Sequence, residues 1–312
     1  MSPRAWFLFA LMSLIWGIPY LLIKVAVDGV SVPVLVFART AAGALLLLPF
    51  ALSRLGALRG HGRPLLAFAA CEIIGPWWLL SDAERHLSSS MAGLLIAAVP
   101  IVAVLLARLT GDRERLGALR WTGLAAGLAG VAVLAAPQVN GGSPWAVTEV
   151  LLTALGYAAA PLIAARHLRD VPTLPLTAGC LAVAAACYAV PAAATWPARM
   201  PDAEVLAALA GLGVICTAFG FLVFFELIRE AGASRAMVFT YVNPAVAVAA
   251  GVTFLGEPLT GTVLAAFVLI LCGSVLATGR LDRTADEPAG RSRRDLHDPA
   301  EERPGSTGQG GR

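Results

Sequence analysis

Glu72 is a carboxylic acid in the middle of an apolar stretch, within the segment ACEIIG. A charge at the centre of a membrane costs about 2.5–3.5 kcal/mol on insertion scales, so an acid at such a position indicates a functional or a paired site. Glu72 is either protonated and hydrogen-bonded between packed helices, or it faces a central cavity. In a cavity it could bind a proton or a cationic group of a substrate.

A second candidate site surrounds Pro244, in the middle of the apolar stretch 235–255. A proline inside a helix removes one backbone donor and leaves a carbonyl group free about one turn earlier. In an apolar medium that carbonyl must be satisfied by protein or by cavity water. Tyr241 and Asn243 directly precede the proline, and the Asn243 amide can both donate and accept. We therefore expect Tyr241 and Asn243 to contribute to a binding site.

Trp16, Tyr20 and Lys24 follow one another at helical spacing on one face of the first apolar stretch. The other six tryptophans, Trp77 among them, lie near the ends of apolar stretches, where the membrane interface accounts for them. One interpretation makes Trp16 and Tyr20 an aromatic wall for a substrate, with the Lys24 cation above it. In the other, Trp16 packs between helices and Lys24 extends to the lipid headgroups, which is the preferred interpretation for Lys24.

Asp82 and Glu226 are separated by 144 residues and lie near the ends of two apolar stretches. They are either symmetric gate residues or solvated acids at the membrane surface, which is the commoner case. Arg39 lies a few residues inside its stretch, from where it could reach the outer interface. Glu257 closes a short turn, where we expect structural hydrogen bonds.

Enzyme and metal chemistry find no support in the sequence. The five cysteines fall inside apolar stretches without CxxC spacing, and the four histidines fall in loops or in the tail, so no metal site is predicted. The nucleophile, zinc-protease and phosphate-loop motifs of common enzymes do not occur. We therefore predict no catalytic residue and no cofactor.

Composition identifies the elements that must position these residues. Of the 312 residues 58% are hydrophobic and only 14% are charged, with a mean hydropathy of +0.77. A soluble domain is about 45–50% apolar and about 25% charged. The chain is therefore predicted to be an all-α integral membrane protein. Nucleic-acid binding is not expected, since no basic stripe is interleaved with aromatic residues.

Charges, prolines and glycines divide the chain into ten candidate transmembrane helices of about 20 residues each. The candidates are 5–27, 34–53, 64–82, 89–108, 119–137, 145–165, 174–195, 204–228, 235–255 and 262–279. Fourteen arginines fall in one set of connections and two in the other, which predicts cytoplasmic termini by the positive-inside rule. The tail 280–312 is polar and rich in charges, so we expect it to be disordered.

The two halves of the chain are predicted to be repeats. Matches recur at an offset of 142 residues in the first helices of each half and at 144 residues later on. The matched pairs are Pro19 with Pro161, Pro49 with Pro191, Ser90 with Ser234, Ala92 with Ala236, and Pro100 with Pro244. Each half has five helices, and an odd number of spans ends on the opposite side of the membrane. The second repeat (145–279) is therefore inverted relative to the first (5–137). Inverted repeats with proline-broken helices, here at Pro19, Pro100, Pro161 and Pro244, build carriers with a site near the midplane.

The chain resembles the drug/metabolite transporter superfamily, as a ten-helix member with two EamA-type repeats. The similarity spans about residues 7–279 and is carried by short motifs. These motifs are Leu14-Ile15-Trp16-Gly17, Phe37-Ala38-Arg39, Ala233-Ser234-Arg235-Ala236, Asn243-Pro244 and Gly256-Glu257-Pro258. In the first half, Gly111-Asp112 stands where Gly-Glu would be expected. The resemblance implies gradient-driven transport of small metabolites, often amino acids or drugs.

The predicted function is therefore a secondary transporter of the cytoplasmic membrane, acting as an exporter on a small organic molecule by alternating access. Expected partners are the substrate, membrane lipid and, if Glu72 couples transport, protons. The protein could act as a monomer or as a homodimer. The alternative is a membrane sensor or binding protein that uses the same fold without transport.

Overall fold

The structure, a computed structural model, describes residues 1–110, 117–139 and 142–278. The Gly111-Asp112 motif and the tail 280–312 lie outside the described residues. Throughout the described ranges the regular secondary structure is helical, without β-strands. This agrees with the all-α class predicted from composition.

Fifteen α-helices follow one another along the described chain. They are α1 Pro3–Gly17, α2 Pro19–Val27, α3 Val32–Ala51, α4 Gly62–Ala69, α5 Gly75–Ala83, α6 Ser89–Ile96, α7 Val99–Leu109, α8 Ala118–Val139, α9 Pro144–His167, α10 Thr173–Ala194, α11 Ala203–Ala210, α12 Gly220–Ala231, α13 Ala233–Ala236, α14 Asn243–Leu255 and α15 Gly261–Ala277. Two π-helical segments join α4 to α5 and α11 to α12, at Ala70–Ile74 and Gly211–Phe219. Two 3₁₀ segments follow α3 and α13, at Leu52–Leu58 and Met237–Tyr241.

Eight helical stretches in the described ranges are long and apolar enough to cross a membrane. They are Pro3–Val27, Val32–Leu58, Gly62–Ala83, Ser89–Leu109, Ala118–Gln138, Pro144–His167, Thr173–Ala194 and Ala203–Ala231. The last two predicted spans correspond to the shorter apolar helices α14 and α15. The ninth span is short because its helix is interrupted next to Pro244, so that only its second part is a continuous α-helix.

Three of the four prolines that are predicted to break helices lie at the start of a helical segment. Pro19 begins α2, and Pro100 and Pro244 lie in the first turns of α7 and α14. A proline fits a first turn because the missing N–H would have no intrahelical acceptor there. The break predicted at Pro161 is not present, since α9 continues through this residue. One lost backbone bond within a helix of 24 residues leaves the rest of its ladder intact.

Side chains from neighbouring helices satisfy backbone carbonyl groups where the helices are irregular. Ser274 on α15 donates from Oγ to the carbonyl oxygen of Ala97, 2.8 Å away, at the break between α6 and α7. Tyr188 on α10 donates from its hydroxyl to the carbonyl oxygen of Ile74, 2.7 Å away, in the first π segment. These bonds supply the internal partners that irregular backbone requires in an apolar medium.

Long helices pack side by side to form the bundle. Helix α3 packs along α10, α5 along α9, α1 along α12 and α8 along α15. The α8–α15 pair is unusually close: a Cβ atom added to Gly273 would lie 2.6 Å from the Cα atom of Gly127. Small residues allow such close backbone approach between membrane helices.

Candidate functional site

The two π segments occupy equivalent positions in the predicted repeats. An offset of 144 residues carries Ala70–Ile74 onto 214–218, which lies inside Gly211–Phe219. The same offset carries the break between α6 and α7 onto the break between Tyr241 and Asn243. A π turn inserts a residue into a helix and frequently occurs at functional sites. The irregular backbone of both halves therefore follows one pattern.

Glu72 lies within the first π segment and is partly buried. Its carboxyl group lies within electrostatic range of the Tyr157 hydroxyl on α9 and of the thiols of Cys71 and Cys180. Helix α9 approaches this segment closely, because a Cβ atom on Gly156 would lie 2.6 Å from the carbonyl oxygen of Cys71. Glu72 thus sits where α9 and α10 meet the irregular turn.

Trp16 contacts the second π segment from the first half of the chain. Its indole Nε1 donates to the carbonyl oxygen of Cys216, 3.1 Å away. Its ring packs against three phenylalanine rings with centroids 5.0–5.5 Å away, those of Phe221, Phe224 and Phe239. Trp16 therefore both satisfies a backbone carbonyl and anchors an aromatic cluster between α1 and α12.

Asn243 lies at the break before α14 and bridges it to α1. With its side-chain nitrogen as donor, the amide binds the carbonyl oxygens of Ser13 and Phe239 at 3.2 and 3.1 Å. Tyr241 forms a hydrogen bond of 3.1 Å with the Thr278 hydroxyl, at the end of α15. The structure thus brings Trp16 and Asn243 together around Phe239, whereas the Tyr241 hydroxyl is directed to another helix.

Arg39 is buried in the bundle, with 7% of its surface exposed. Its position in the sequence predicts that it could reach the outer interface, but in the structure its side chain is directed into the bundle. Its guanidinium carbon lies 3.7 Å from the centre of the Trp77 ring. Its Nε donates to the Thr217 hydroxyl, 3.1 Å away, in the second π segment. Trp77 is also buried within the bundle, and it provides the aromatic face on which this cation is stacked.

Tyr20 lies near Arg39 in the interior of the bundle. Its side chain is buried and interacts electrostatically with Arg39 and with Tyr157. Tyr157 in turn interacts with both Arg39 and Glu72. Tyr20, Arg39 and Glu72 therefore all lie within electrostatic range of Tyr157, and we call these four residues the polar centre. The Trp77 ring lies beneath the Arg39 guanidinium group. Helices from both predicted repeats contribute to the polar centre.

Lys24 lies at the end of the bundle that also holds Glu84, Ser89 and Glu257, which the arginine pattern predicts to face the outside. We call it the outer end. The Lys24 ammonium donates to the carbonyl oxygens of Glu84 and Leu87, at 2.6 and 3.0 Å, instead of extending to lipid headgroups. It thereby satisfies free carbonyl groups after α5, which is favourable for a cation at a helix C-terminus.

Glu257 makes the structural hydrogen bonds expected of it. Its carboxylate accepts from the backbone N–H groups of Ser89 and Ser90, at 2.7 and 3.0 Å, and from the Ser90 hydroxyl. The acceptor thus lies at the N-terminus of α6, where free N–H groups and the helix dipole favour a negative charge. Glu257 thereby ties the turn before α15 to the start of α6.

Asp82 and Glu226 form equivalent ion pairs in the two halves. Asp82 pairs with Arg85 at 3.4 Å, and Glu226 pairs with Arg229 at 2.6 Å, each three residues along the helix. Glu226 also binds Arg4 at 2.5 Å. All of these side chains are at least partly exposed, so solvent screens the ion pairs and they contribute little to stability.

The sequence does not identify three residues of the polar centre and its surroundings. The positions of Arg39 and Trp77 in the chain indicate the membrane interface, and no sequence pattern distinguishes Tyr157. The position of Arg39 inside the apolar segment VFARTAAG was the available signal. No pattern distinguishes Glu84, because it lies in the charged segment DAERH at a predicted helix end.

Comparisons with known proteins agree with this architecture. The EamA-like transporter family model matches residues 4–136 and again 144–279. The uncharacterized inner membrane transporter YedA of Escherichia coli K12 is 30% identical over 296 residues, covering 86% of this chain and 90% of YedA. The uncharacterized transporter YvbV of Bacillus subtilis is 29% identical over 283 residues, with the same coverage of 86% and 90%.

A transporter of Archaeoglobus fulgidus is 25% identical over 277 residues, covering 86% of this chain and 97% of the relative. One solved crystal structure superposes with a TM-score of 0.63 at 21% identity, covering 89% of this chain and 98% of the other, which shows a shared fold. The chain therefore belongs to the EamA-like transporter family, within the drug/metabolite transporter superfamily, and is a multi-pass membrane transporter.

Proposed function

We propose that the protein is a secondary transporter that exports a small organic metabolite, such as an amino acid or a drug-like compound, across the cytoplasmic membrane by alternating access. The observation that carries this proposal is the matched irregularity of the two halves. Both have a π segment and a proline-associated break at positions related by one offset. Broken helices in corresponding halves are typical of the substrate path of secondary transporters.

The proposed layout has ten transmembrane helices, in two inverted repeats at 5–137 and 145–279, with both termini in the cytoplasm. The arginine distribution supports this orientation. The equivalent ion pairs of Asp82 and Glu226 fit it too, since inversion would place them near opposite membrane faces. In this layout α14 and α15 both cross the membrane, and the turn at Gly256 that joins them lies on the outside.

The polar centre of Tyr20, Arg39, Glu72 and Tyr157 is the proposed substrate site. It combines a stacked cation, a carboxyl group and two phenols between helices of both halves. The Nε–Thr217 bond is the one hydrogen bond of Arg39 within the described residues, so its remaining N–H groups can bind a polar substrate group. Trp16, Tyr241 and Asn243 would then support the broken helices that border this site.

Unequal packing at the two ends of the bundle supports alternating access. Helix α6 packs along α14 at the outer end. An offset of 144 residues relates α6 to the segment 233–240 and α14 to the segment 99–111. The described residues of these two segments do not pack along each other as α6 and α14 do. Two equivalent interfaces, one closed and one separated, are what a carrier needs to expose its site to one side at a time. This arrangement corresponds to a cytoplasm-facing state.

The test is a counterflow assay in proteoliposomes, with a panel of labelled amino acids and cationic or aromatic drug-like compounds. At least one compound should accumulate against an unlabelled internal pool, and Arg39→Ala should abolish the signal. Absence of counterflow for the whole panel would favour the sensor alternative. Single cysteines at Ala57 and Gly142 should be labelled from opposite sides of the membrane, and labelling from one side would refute the inverted layout.

A further inference from the structure

Glu84 is a buried carboxylic acid that the polar centre does not use. Its relative exposure is 0%, and neither carboxyl oxygen has a hydrogen-bond partner among the described residues. An ionised carboxylate in this position would lose its hydration without receiving any hydrogen bond in return. The geometry therefore favours the neutral, protonated acid in this conformation.

The surroundings of Glu84 are charged, yet none of these groups binds its carboxyl oxygens. Lys24 on α2 donates to the main-chain carbonyl of Glu84 and to that of Leu87, which engages the ammonium with the backbone. Glu257 faces the same region from the turn before α15, where its carboxylate accepts from α6. Electrostatic interactions also connect Glu84 with Tyr20 on α2 and with Arg39 on α3.

The nearby charges on its own segment are directed elsewhere. Asp82 pairs with Arg85, and the exposed side chains of Arg85 and His86 follow Glu84 in the chain. Burial raises the pKa of Glu84 well above its usual range, more than the Lys24 ammonium lowers it. The negative charge of Glu257 acts in the same direction as burial.

We propose that Glu84 is a proton-binding site of the transport cycle. Its carboxyl group carries a proton while α2, α5, α6 and the Glu257 turn are packed together, and it releases that proton to water when they separate. The step is a simple dissociation: the O–H bond breaks, the proton passes to water, and the carboxylate keeps the electron pair. This inference rests on the proposed function, because only a cycle that opens the outer end would hydrate Glu84.

The proposal links the outer end of the bundle to pH. Separation that releases one proton becomes roughly tenfold more favourable for each pH unit between the pKa of the hydrated acid and the raised pKa of the buried acid, and it does not change further above that range. A neutral Glu84 stabilises the packed end, and an ionised Glu84 favours its opening. This role is separate from that of Glu72, which lies in the π segment and is only partly buried.

The first experiment observes the proton itself, by infrared spectroscopy of the full-length protein in lipid nanodiscs. The spectrum at neutral pH should contain a carbonyl band of a protonated acid that is lost in Glu84→Gln. The matched control is Glu226→Gln, because Glu226 is paired with two arginines and should be ionised. A spectrum unchanged in Glu84→Gln would overturn the proposal.

The second experiment measures amide hydrogen exchange at Ser89 and Ser90, whose N–H groups bind Glu257 in the packed end. After correction for the intrinsic pH dependence, exchange in the wild type should rise roughly tenfold per pH unit over the titration of Glu84. Glu84→Gln should show no such rise, and Glu84→Asp should restore it. Equal pH dependence in the wild type and Glu84→Gln would contradict the inference, provided both unfold at similar temperatures.

Failure of this inference is distinguishable from failure of the transport proposal. If Glu84→Gln loses the infrared band and the pH dependence but no compound shows counterflow, Glu84 is a proton site and the transport proposal is rejected. Counterflow with an unchanged band and an unchanged exchange profile would retain transport and reject Glu84 as the proton site.

Discussion

The indole N–H of Trp16 lies 3.1 Å from the carbonyl oxygen of Cys216 and donates a hydrogen bond to it. This bond crosses from α1, in the first predicted repeat, to the π segment of the second. The free carbonyl of an irregular turn and the tryptophan that satisfies it thus come from different halves of the chain. The same residue anchors an aromatic cluster with Phe221, Phe224 and Phe239.

Trp16→Phe should remove the hydrogen bond and keep most of the ring packing. Leaving the Cys216 carbonyl without this donor should cost about 1–3 kcal/mol of folding free energy. Trp16→Ala also removes the ring and should cost about 3–5 kcal/mol. Thermal unfolding in detergent measures both, with Trp121→Phe as control, because Trp121 is 54% exposed on α8. Equal unfolding temperatures for Trp16→Phe and the wild type would show that this bond contributes nothing.

Arg39→Lys should impair the transporter although it preserves the charge. A lysine ammonium is compact and cannot stack its charge flat on Trp77 while donating sideways to Thr217. Loss of a cation–π contact of about 1–2 kcal/mol predicts a roughly tenfold lower counterflow rate for any accepted compound. Arg85→Lys is the control, because Arg85 is exposed and forms only a surface ion pair. Unchanged rates in Arg39→Lys would mean that charge alone is sufficient at this position.

Glu257→Gln should loosen the outer end of the bundle. The neutral amide keeps the shape of the side chain but loses the charge that accepts from Ser89 and Ser90 at the start of α6. Charge-assisted hydrogen bonds of this type are worth about 1.5–3 kcal/mol, so amide exchange at both serines should accelerate at least tenfold. The control is Glu204→Gln, an exposed acid in the first turn of α11. Identical exchange in Glu257→Gln and the wild type would exclude this role.

Gly123→Ala should separate two helices that pack closely. A Cβ atom at this position would lie 2.6 Å from the backbone nitrogen of Ala277 on α15, so the helices must move apart. Overpacking of this kind costs about 1–3 kcal/mol, which thermal unfolding should detect. Gly261→Ala, where nothing lies within 4 Å of the added atom, should leave the unfolding temperature unchanged. A neutral Gly123→Ala would indicate that α15 can shift at no cost.

Hydrophobic patterning allowed much of the fold to be predicted. Apolar stretches of about 20 residues must be helical in lipid, because only helices satisfy their own backbone groups there. The expected interruption at Pro244 and the hydrogen bonds expected of Glu257 depend on local chemistry, and both are present in the structure. Pro161 shows the limit of that approach, since a proline does not break a helix whose remaining bonds hold it in place.

Composition and spacing along the chain were enough to identify an all-α membrane protein and to locate its apolar stretches, and they predict the repeat that relates the two halves. These properties reside in composition and in spacing along the chain. Which polar groups meet depends on the fold: Arg39 is stacked on Trp77, Lys24 binds carbonyl groups after α5, and the buried carboxyl oxygens of Glu84 receive no hydrogen bond from the described residues. The reason is physical, because the energy of a charge depends on the atoms that surround it, and those atoms come from helices distant in sequence.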